Sequence, residues 1–347
     1  MGSKQRVRAV VLAAGRGERL RPLSEWAPKP LLPVAGRAAI VHTLSQLAGA
    51  GVEAVAINLH YRGEDIRERL GTEFEGLPLT YSLEPELLGT LGAMMPLEEF
   101  LRPADLVLVI NGDSVCRWPL KRLVRRHQRR GNLATLLLSK RANASEFGGG
   151  VVVDGAGQIR SFHPLGKSDG SLKRRVFCGA HVFSPELLAG IDKQPADFIA
   201  DLYERQLEQG QKLGGVETSR RWHDLGTPKR YLRASKDWAR GQFPARLWRS
   251  KWISSSARVS AKADVSRSVI EAGARVDAGA RVQGSLLLPG ARVPRGCRVV
   301  KCILGFDVTL AAGTAVERRL VTPATATTEP RHDDSVVSGL VFSRMSR

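Results

Sequence analysis

The chain has 347 residues, with 53 Lys plus Arg against 34 Asp plus Glu and a net charge of +19. That length predicts two domains, each able to bury its own core. Hydrophobic residues make up 43% and charged residues 25%, an ordinary soluble composition, and no apolar run reaches the ~20 residues needed to span a bilayer. Basic residues are spread widely, and local runs such as Lys121 to Arg130 and Arg220-Arg221 are not interleaved with stacking aromatics. A solvated basic face is therefore expected, with neither nucleic acid nor membrane as partner. The first eleven residues enter a strand-like run without a signal-peptide core, so a cytoplasmic location is expected. Cys116, Cys178, Cys297 and Cys302 lack metal-ligand spacing and read as reduced thiols.

In chain order, short β-branched runs alternate with amphipathic stretches: Val7 to Leu12, Ala38 to Ala48, Ala54 to Asn58, Glu64 to Leu70, Leu79 to Leu83, Leu91 to Phe100 and Leu106 to Ile110. Near-continuous apolar strands require cover on both faces, so the rhythm predicts an α/β domain over residues 1–245: a Rossmann-like, mixed but mainly parallel sheet flanked by helices. Ligands of such sheets bind beyond the carboxyl ends of the strands, which singles out the loops after Leu12, Leu83 and Ile110.

A polar, tryptophan-containing segment from Gly241 to Lys251 marks the boundary. Beyond it Val259, Val265, Ile270, Val276, Val282, Leu287, Val293 and Val299 recur every five or six residues, separated by small residues. That period predicts a left-handed parallel β-helix of hexapeptide repeats over residues 246–320, of about three turns. Residues 321–347 read as a polar, partly disordered tail.

The most informative segment is Leu12-Ala13-Ala14-Gly15-Arg16-Gly17-Glu18-Arg19-Leu20-Arg21-Pro22-Leu23, followed by Pro28-Lys29-Pro30-Leu31-Leu32-Pro33-Val34. Gly15 and Gly17 let the backbone approach a nucleotide and leave amides free for anions, while Arg19 and Lys29 can neutralise phosphate. Leu20 stands where a Rossmann fingerprint has its third glycine, and no Walker-type Gly-Lys-Ser/Thr follows the loop, so the two commonest nucleotide loops are excluded.

This segment resembles the signature of the sugar-phosphate nucleotidylyltransferases, and later elements follow in that family's order from about Arg6 to Arg233. The resemblance implies transfer of a nucleoside monophosphate from a nucleoside triphosphate to a sugar 1-phosphate, releasing pyrophosphate, with Mg2+ as cofactor. It implies nucleotide contacts by Leu12, Ala13, Ala14, Gly15, Gly17, Arg19 and Lys29, with catalysis by Arg19, Lys29 and Asp113. Glu18 departs from the family, where threonine is common. Asp113, in Asn111-Gly112-Asp113, and Asp224, in Trp222-His223-Asp224-Leu225-Gly226-Thr227-Pro228, match the two metal-binding aspartates. The run Glu84-Pro85-Glu86-Leu87-Leu88-Gly89-Thr90 resembles the base-recognition loop, with Glu84 at the reading position and Gly89 and Thr90 beside the nucleotide.

A carboxylate at Glu84 accepts from two donors of guanine but from one of uracil or thymine, which favours GTP. For the sugar phosphate the resemblance points to Asn111, Glu146, Gly148 and Gly179. The family's Glu-Lys-Pro is absent: Ser161-Phe162-His163-Pro164 stands there, leaving Lys167 or Arg160 as the substitute cation. The pair expected is GTP with mannose 1-phosphate; UTP with a hexose or hexosamine-type 1-phosphate is the alternative. A non-catalytic, nucleotide-sugar-binding regulatory subunit is the alternative of another class. Acyl transfer by the β-helix is disfavoured, because no histidine lies between Lys251 and Gly313 to act as base. A homo-oligomer is expected, as in related enzymes that assemble through their β-helices.

Overall fold

A computed structural model describes residues 5–148, 150–163, 171–191, 195–241, 251–325 and 331–345. Two compact units result: Met1–Arg16 with Ile40–Trp222, and Gly17–Ala39 with His223–Arg347. The predicted linker near residue 245 lies outside the described residues. The compact units divide the chain elsewhere, because Gly17–Ala39 and the helix Pro228–Arg240 pack with the C-terminal strands.

The first unit is built on one sheet: β1 (Val7–Leu12), β2 (Ala54–Leu59), β3 (Leu77–Leu83), β4 (Leu106–Asn111), β5 (Ala134–Ser139), β6 (Val151–Val153), β7 (Ile159–Ser161), β8 (Lys173–Phe183) and β9 (Leu213–Thr218), with short Glu73–Phe74 at an edge. The order runs β7-β6-β8-β4-β1-β2-β3, and β8 also pairs with β5, which pairs with β9. β1 is parallel to β2 and β4, β2 to β3, and β5 to β9, whereas β8 is antiparallel to β4 and β5. This is the mixed, mainly parallel sheet that the apolar runs predict. Leu106 to Ile110 is buried throughout, as a central strand covered on both faces must be.

Helices Ala39–Ala48 and Gly63–Leu70 follow the amphipathic stretches, and the basic run Lys121 to Arg130 lies on the helix Leu120–Arg130, which ends on Gly131 in the left-handed conformation. The stretch from Leu91 to Phe100 forms separate turns, Met95–Leu97 and Glu98–Leu101, because Pro96 cannot donate within a continuous helix. Among the described residues no helix is long and apolar enough to cross a membrane.

In the second unit the repeat forms parallel strands on three faces. Val259 pairs with Val276 and Val276 with Val293; Val265 with Val282, Val299 and Val316 in turn; Ile253 with Ile270, Leu287, Leu304 and Val321. Each aliphatic residue therefore stacks on its counterpart one coil away, and together they make a dry core. The stack exceeds the three turns expected: Leu304, Leu310, Val316 and Val321 continue the buried series past Val299 at the same spacing. The tail also differs from expectation. Leu340–Arg344 pairs antiparallel with Arg319–Pro323, and Ser335–Val337 pairs with Leu340–Arg344, where the alternate residues Leu340 and Phe342 pack against the core.

Small polar residues complete one corner. Ser285 donates its hydroxyl to Gln283 O at 2.9 Å and accepts from Cys302 N–H at 3.0 Å, 17 residues along, as Ser268 accepts from Ser285 N–H at 3.1 Å. Ser285 is fully buried. Ser285→Ala strands the Cys302 amide and is expected to destabilise the fold by about 1–3 kcal/mol, read from the urea midpoint.

Candidate functional site

The candidate residues are distributed over both units. In the first, β1 ends at Leu12 and the chain turns through Ala13 and Ala14, both buried, to Gly15, where an added Cβ would meet nothing. Ala13 N–H donates to Asn58 Oδ1 at 2.7 Å, and Asn58 Nδ2 donates to Glu84 Oε1 at 2.8 Å. Glu84 Oε2 accepts from Leu88 N–H at 3.1 Å, and Glu84 N–H donates to Leu59 O at 2.7 Å. One relay thus ties together the loops at the carboxyl ends of β1, β2 and β3.

Glu84 is 2% exposed, so its carboxyl serves these loops rather than facing solvent. The expectation placed this carboxylate at the base-reading position; in the structure its oxygens are engaged by Asn58 and Leu88, while Leu83, Pro85, Glu86 and Leu87 around it are exposed. His60 Nδ1–H donates to Glu84 O at 2.8 Å, which leaves Nε2 to accept from Arg16 Nε at 3.4 Å. Asn58 and His60 were not singled out by the sequence, since neither belongs to a motif with recognisable spacing.

Gly89 and Thr90 engage another segment. Gly89 has φ of +79°, and a Cβ there would fall 2.3 Å from Ala196 O, so only glycine fits. Thr90 Oγ1 donates to Asp197 Oδ2 at 2.8 Å and accepts from Phe198 N–H at 3.1 Å. Asp197 in turn caps the π-helix Phe198–Tyr203. The Thr90 hydroxyl is therefore occupied in anchoring this helix.

At the end of β4, Gly112 N–H donates to Leu12 O at 2.8 Å, which seats the Asp113 turn against β1. Gly179, with φ of +69°, lies against Asn111: a Cβ would come 2.5 Å from Asn111 Nδ2. The structure thus brings together Leu12, Asn111, Asp113 and Gly179. Glu146 and Gly148 are exposed at a short 3-10 turn that Asn143 caps, while Phe147 between them packs on Trp222 at 5.1 Å. Arg160 makes a two-pronged contact with Asp154, at 2.9 and 2.6 Å, and is committed there. Lys167 lies outside the described residues.

In the second unit, Gly17 has φ of +71° and opens the 3-10 turn Glu18–Leu20; its carbonyl accepts from Ser24 Oγ at 3.0 Å. A Cβ on Gly17 would press to 3.3 Å from Lys29 Cγ and Cε, so this glycine admits the lysine stem. Asp224 Oδ1 accepts from Gly226 N–H at 2.8 Å and pairs with Arg230 Nη1 at 3.1 Å. A Cβ at Gly226 would approach Arg19 Nη2 to 3.0 Å and Asp224 Oδ1 to 2.7 Å, so glycine lets the two charged groups converge. Thr227 caps the following helix and Pro228 opens it, which explains the Gly-Thr-Pro wording.

Among the described residues no three His, Cys, Asp or Glu side chains form a metal cluster. Mg2+ needs no such cage, because one or two carboxylates with substrate phosphates and water suffice. Asp224, whose carboxylate accepts from Gly226 N–H and pairs with Arg230, is of the residue type that such lighter ligation uses.

A last carboxyl was missed altogether. Glu271, 1% exposed, accepts from Gly36 N–H at 3.0 Å. Burial pushes its pKa up to about 7, opposed by the amides of Gly36 and Ala35. Its titratable neighbour is Tyr231, whose hydroxyl donates to Pro33 O at 2.7 Å and whose pKa burial raises further. A carboxyl with a raised folded-state pKa favours folding most below its ordinary value of 4.5, and that contribution fades as pH rises to about 7. The Tm of Glu271→Gln minus that of the wild type is therefore expected to grow more positive between those pH values. Asn58→Ala, which strands Ala13 N–H and one Glu84 oxygen, is expected to cost about 1–3 kcal/mol in chemical unfolding.

Residues 8–241 match the nucleotidyl transferase family, and residues 246–322 match the GlmU-like C-terminal hexapeptide family. Mannose-1-phosphate guanylyltransferase catalytic subunit beta of Drosophila pseudoobscura pseudoobscura is 32% identical over 228 residues, covering 65% of this chain and 60% of that protein. Mannose-1-phosphate guanyltransferase of Neurospora crassa is 31% identical over 236 residues, covering 65% and 62%. The chain thus spans about three fifths of the length of these relatives. The crystal structure of HddC from Yersinia pseudotuberculosis complexed with GMP-PN shares the fold, with a TM-score of 0.57, 20% identity, and cover of 67% of this chain and 99% of that one. The family match runs through every loop described above except the β-helix contacts, and the chain belongs to the nucleotidyl transferase family.

Proposed function

We propose that this protein transfers a nucleoside monophosphate from a nucleoside triphosphate to a sugar 1-phosphate, with GTP and mannose 1-phosphate as the pair. The observation that carries the reading is the family match over residues 8–241, which contains Arg19, Lys29, Asp113 and Asp224 in order. The guanine and mannose assignments rest on the names of the relatives at 31–32% identity, and not on Glu84, whose carboxyl is taken up by Asn58 and Leu88.

In the proposed reaction an oxygen of the sugar 1-phosphate attacks the α-phosphorus of the triphosphate in line. One P–O bond forms, the bond to the bridging oxygen of the β-phosphate breaks, and pyrophosphate leaves with that electron pair. No covalent enzyme intermediate is needed, so the task of the protein is positioning and charge neutralisation. Arg19 and Lys29 supply fixed positive charge for the phosphates. Asp113 and Asp224 are the residues that would hold Mg2+, which when bound adds charge neutralisation at the α-phosphate. Gly15 leaves open space for close approach of the nucleotide, and the Asn58–Glu84 relay holds the backbone of that loop. For the acceptor, Gly179 and Asn111 form a close-packed surface against which a sugar ring can seat.

Pyrophosphate release with Mg2+ is to be measured across GTP, UTP, dTTP, CTP and ATP, each with mannose, glucose, galactose and N-acetylhexosamine 1-phosphates. Highest kcat/KM for GTP with mannose 1-phosphate is expected; a UTP preference would replace the guanylyl assignment, and binding without turnover would indicate a regulatory subunit. Lys29→Ala is expected to lower kcat by roughly 10²–10³ with its circular dichroism unchanged, as for loss of one charge-stabilising group.

A further inference from the structure

Between the 3-10 turn Lys29–Leu31 and the helix beginning at Ala39 lies a small hairpin, Pro33–Val34 against Arg37–Ala38. Its two turn residues, Ala35 and Gly36, have φ of +50° and +88°, a conformation that presents successive backbone N–H groups outward. Leu32 N–H donates to Lys29 O at 3.1 Å, and Ala39 N–H donates to Leu32 O at 3.0 Å, so the lysine turn and the hairpin share one short hydrogen-bonded path.

Three groups from the helix and the first coils hold that hairpin. Tyr231 donates its hydroxyl to Pro33 O, the Trp252 ring lies where a Gly36 Cβ would come within 3.0 Å of it, and Glu271 receives the turn amides. Glu271 stands immediately after the coil strand Ser268–Ile270. Among the described residues it has no ion-pair partner, although a buried carboxylate without a cation is costly. A neutral side chain could fill the space without that cost. What the carboxylate adds is strong, charge-assisted acceptance from two adjacent amides, which fixes the turn in one geometry.

We propose that Glu271, a residue of the hexapeptide coil, is a positioning residue for nucleotidyl transfer, fixing the Lys29 turn through the Ala35-Gly36 backbone. The proposal rests on the role assigned above to Lys29. It makes the β-helix part of the apparatus that aligns the phosphates, with a function separate from assembly.

The test uses the full chain and four variants: Glu271→Gln, Glu271→Ala, Lys29→Ala and the Lys29→Ala/Glu271→Gln double variant. Each is followed by pyrophosphate release and by hydrogen exchange of the segment 28–38. Glu271→Gln keeps the volume of the side chain and so keeps the test valid where Glu271→Ala fails to fold. Its kcat is expected to fall roughly tenfold, with the KM for the triphosphate little changed, as for a small misplacement of a catalytic group. Amide exchange at residues 35 and 36 is expected to quicken. In the Lys29→Ala background Glu271→Gln is expected to cause no further loss, because a residue acting through Lys29 has nothing left to position. Wild-type kcat in Glu271→Gln, or losses that multiply in the double variant, would overturn the proposal. Wild-type turnover in Lys29→Ala would instead remove the assigned role of Lys29, and with it the catalytic meaning of Glu271; the exchange data would still report whether the carboxylate holds the turn.

Discussion

A loop with little regular secondary structure cannot hold itself in place by ladder hydrogen bonding and must borrow its acceptors from elsewhere. Much of this molecule answers that constraint. The segment from Ala13 to Ala38 contains 3-10 turns and a two-residue-stranded hairpin but no long helix or strand. Its beginning is fixed by Asn58, which is fixed by Glu84; its end is fixed by Tyr231, Trp252 and Glu271. At the far end a buried carboxyl, Glu271, receives turn N–H groups directly; at the near end Asn58 receives Ala13 N–H and a buried carboxyl, Glu84, holds Asn58. The two acids lie in different units; one acts through Asn58 and the other directly, and each secures an acceptor that a strand neighbour would otherwise give.

This arrangement also explains why the chain divides in an unexpected place. Sequence patterns mark a boundary where composition changes, near residue 245. Packing marks it where apolar and polar contacts are exchanged, and there Gly17–Ala39 goes with the coils. The lysine-bearing turn and the C-terminal repeat are neighbours in structure although more than two hundred residues of chain intervene, and no local periodicity can reveal that.

The sheet was legible because its strands are unbroken apolar runs; Leu106 to Ile110 can scarcely be anything else. The coil was legible for the same reason, since Val259, Val276 and Val293 repeat with their small neighbours. The charged candidates Arg19, Lys29, Asp113 and Asp224 stand out in the sequence because they sit in long motifs with glycine and proline beside them. The supporting residues were not. Asn58 is the last polar residue of an apolar strand, His60 stands alone, Arg230 is one base among many, and Glu271 looks like any surface acid between two coils. Each gains meaning only from a partner far away in sequence. Glu84 and Thr90 illustrate the opposite difficulty: a motif gave their positions, but only the structure gives the direction in which their side chains are spent, towards Asn58 and towards Asp197.

The coil corner has a wider consequence. Ser268, Ser285 and Cys302 pass the same hydrogen bond from rung to rung at a constant interval of 17 residues. Such a stack reads its own sequence modulo that interval. Insertion or loss of a whole coil leaves every surviving contact with a chemically equivalent partner, whereas a change of one residue misaligns each ladder beyond it. The solenoid is therefore free to vary in length by evolutionary duplication, but only in complete rungs. The antiparallel return of Leu340–Arg344 along Arg319–Pro323 supplies a terminus that no number of added rungs disturbs.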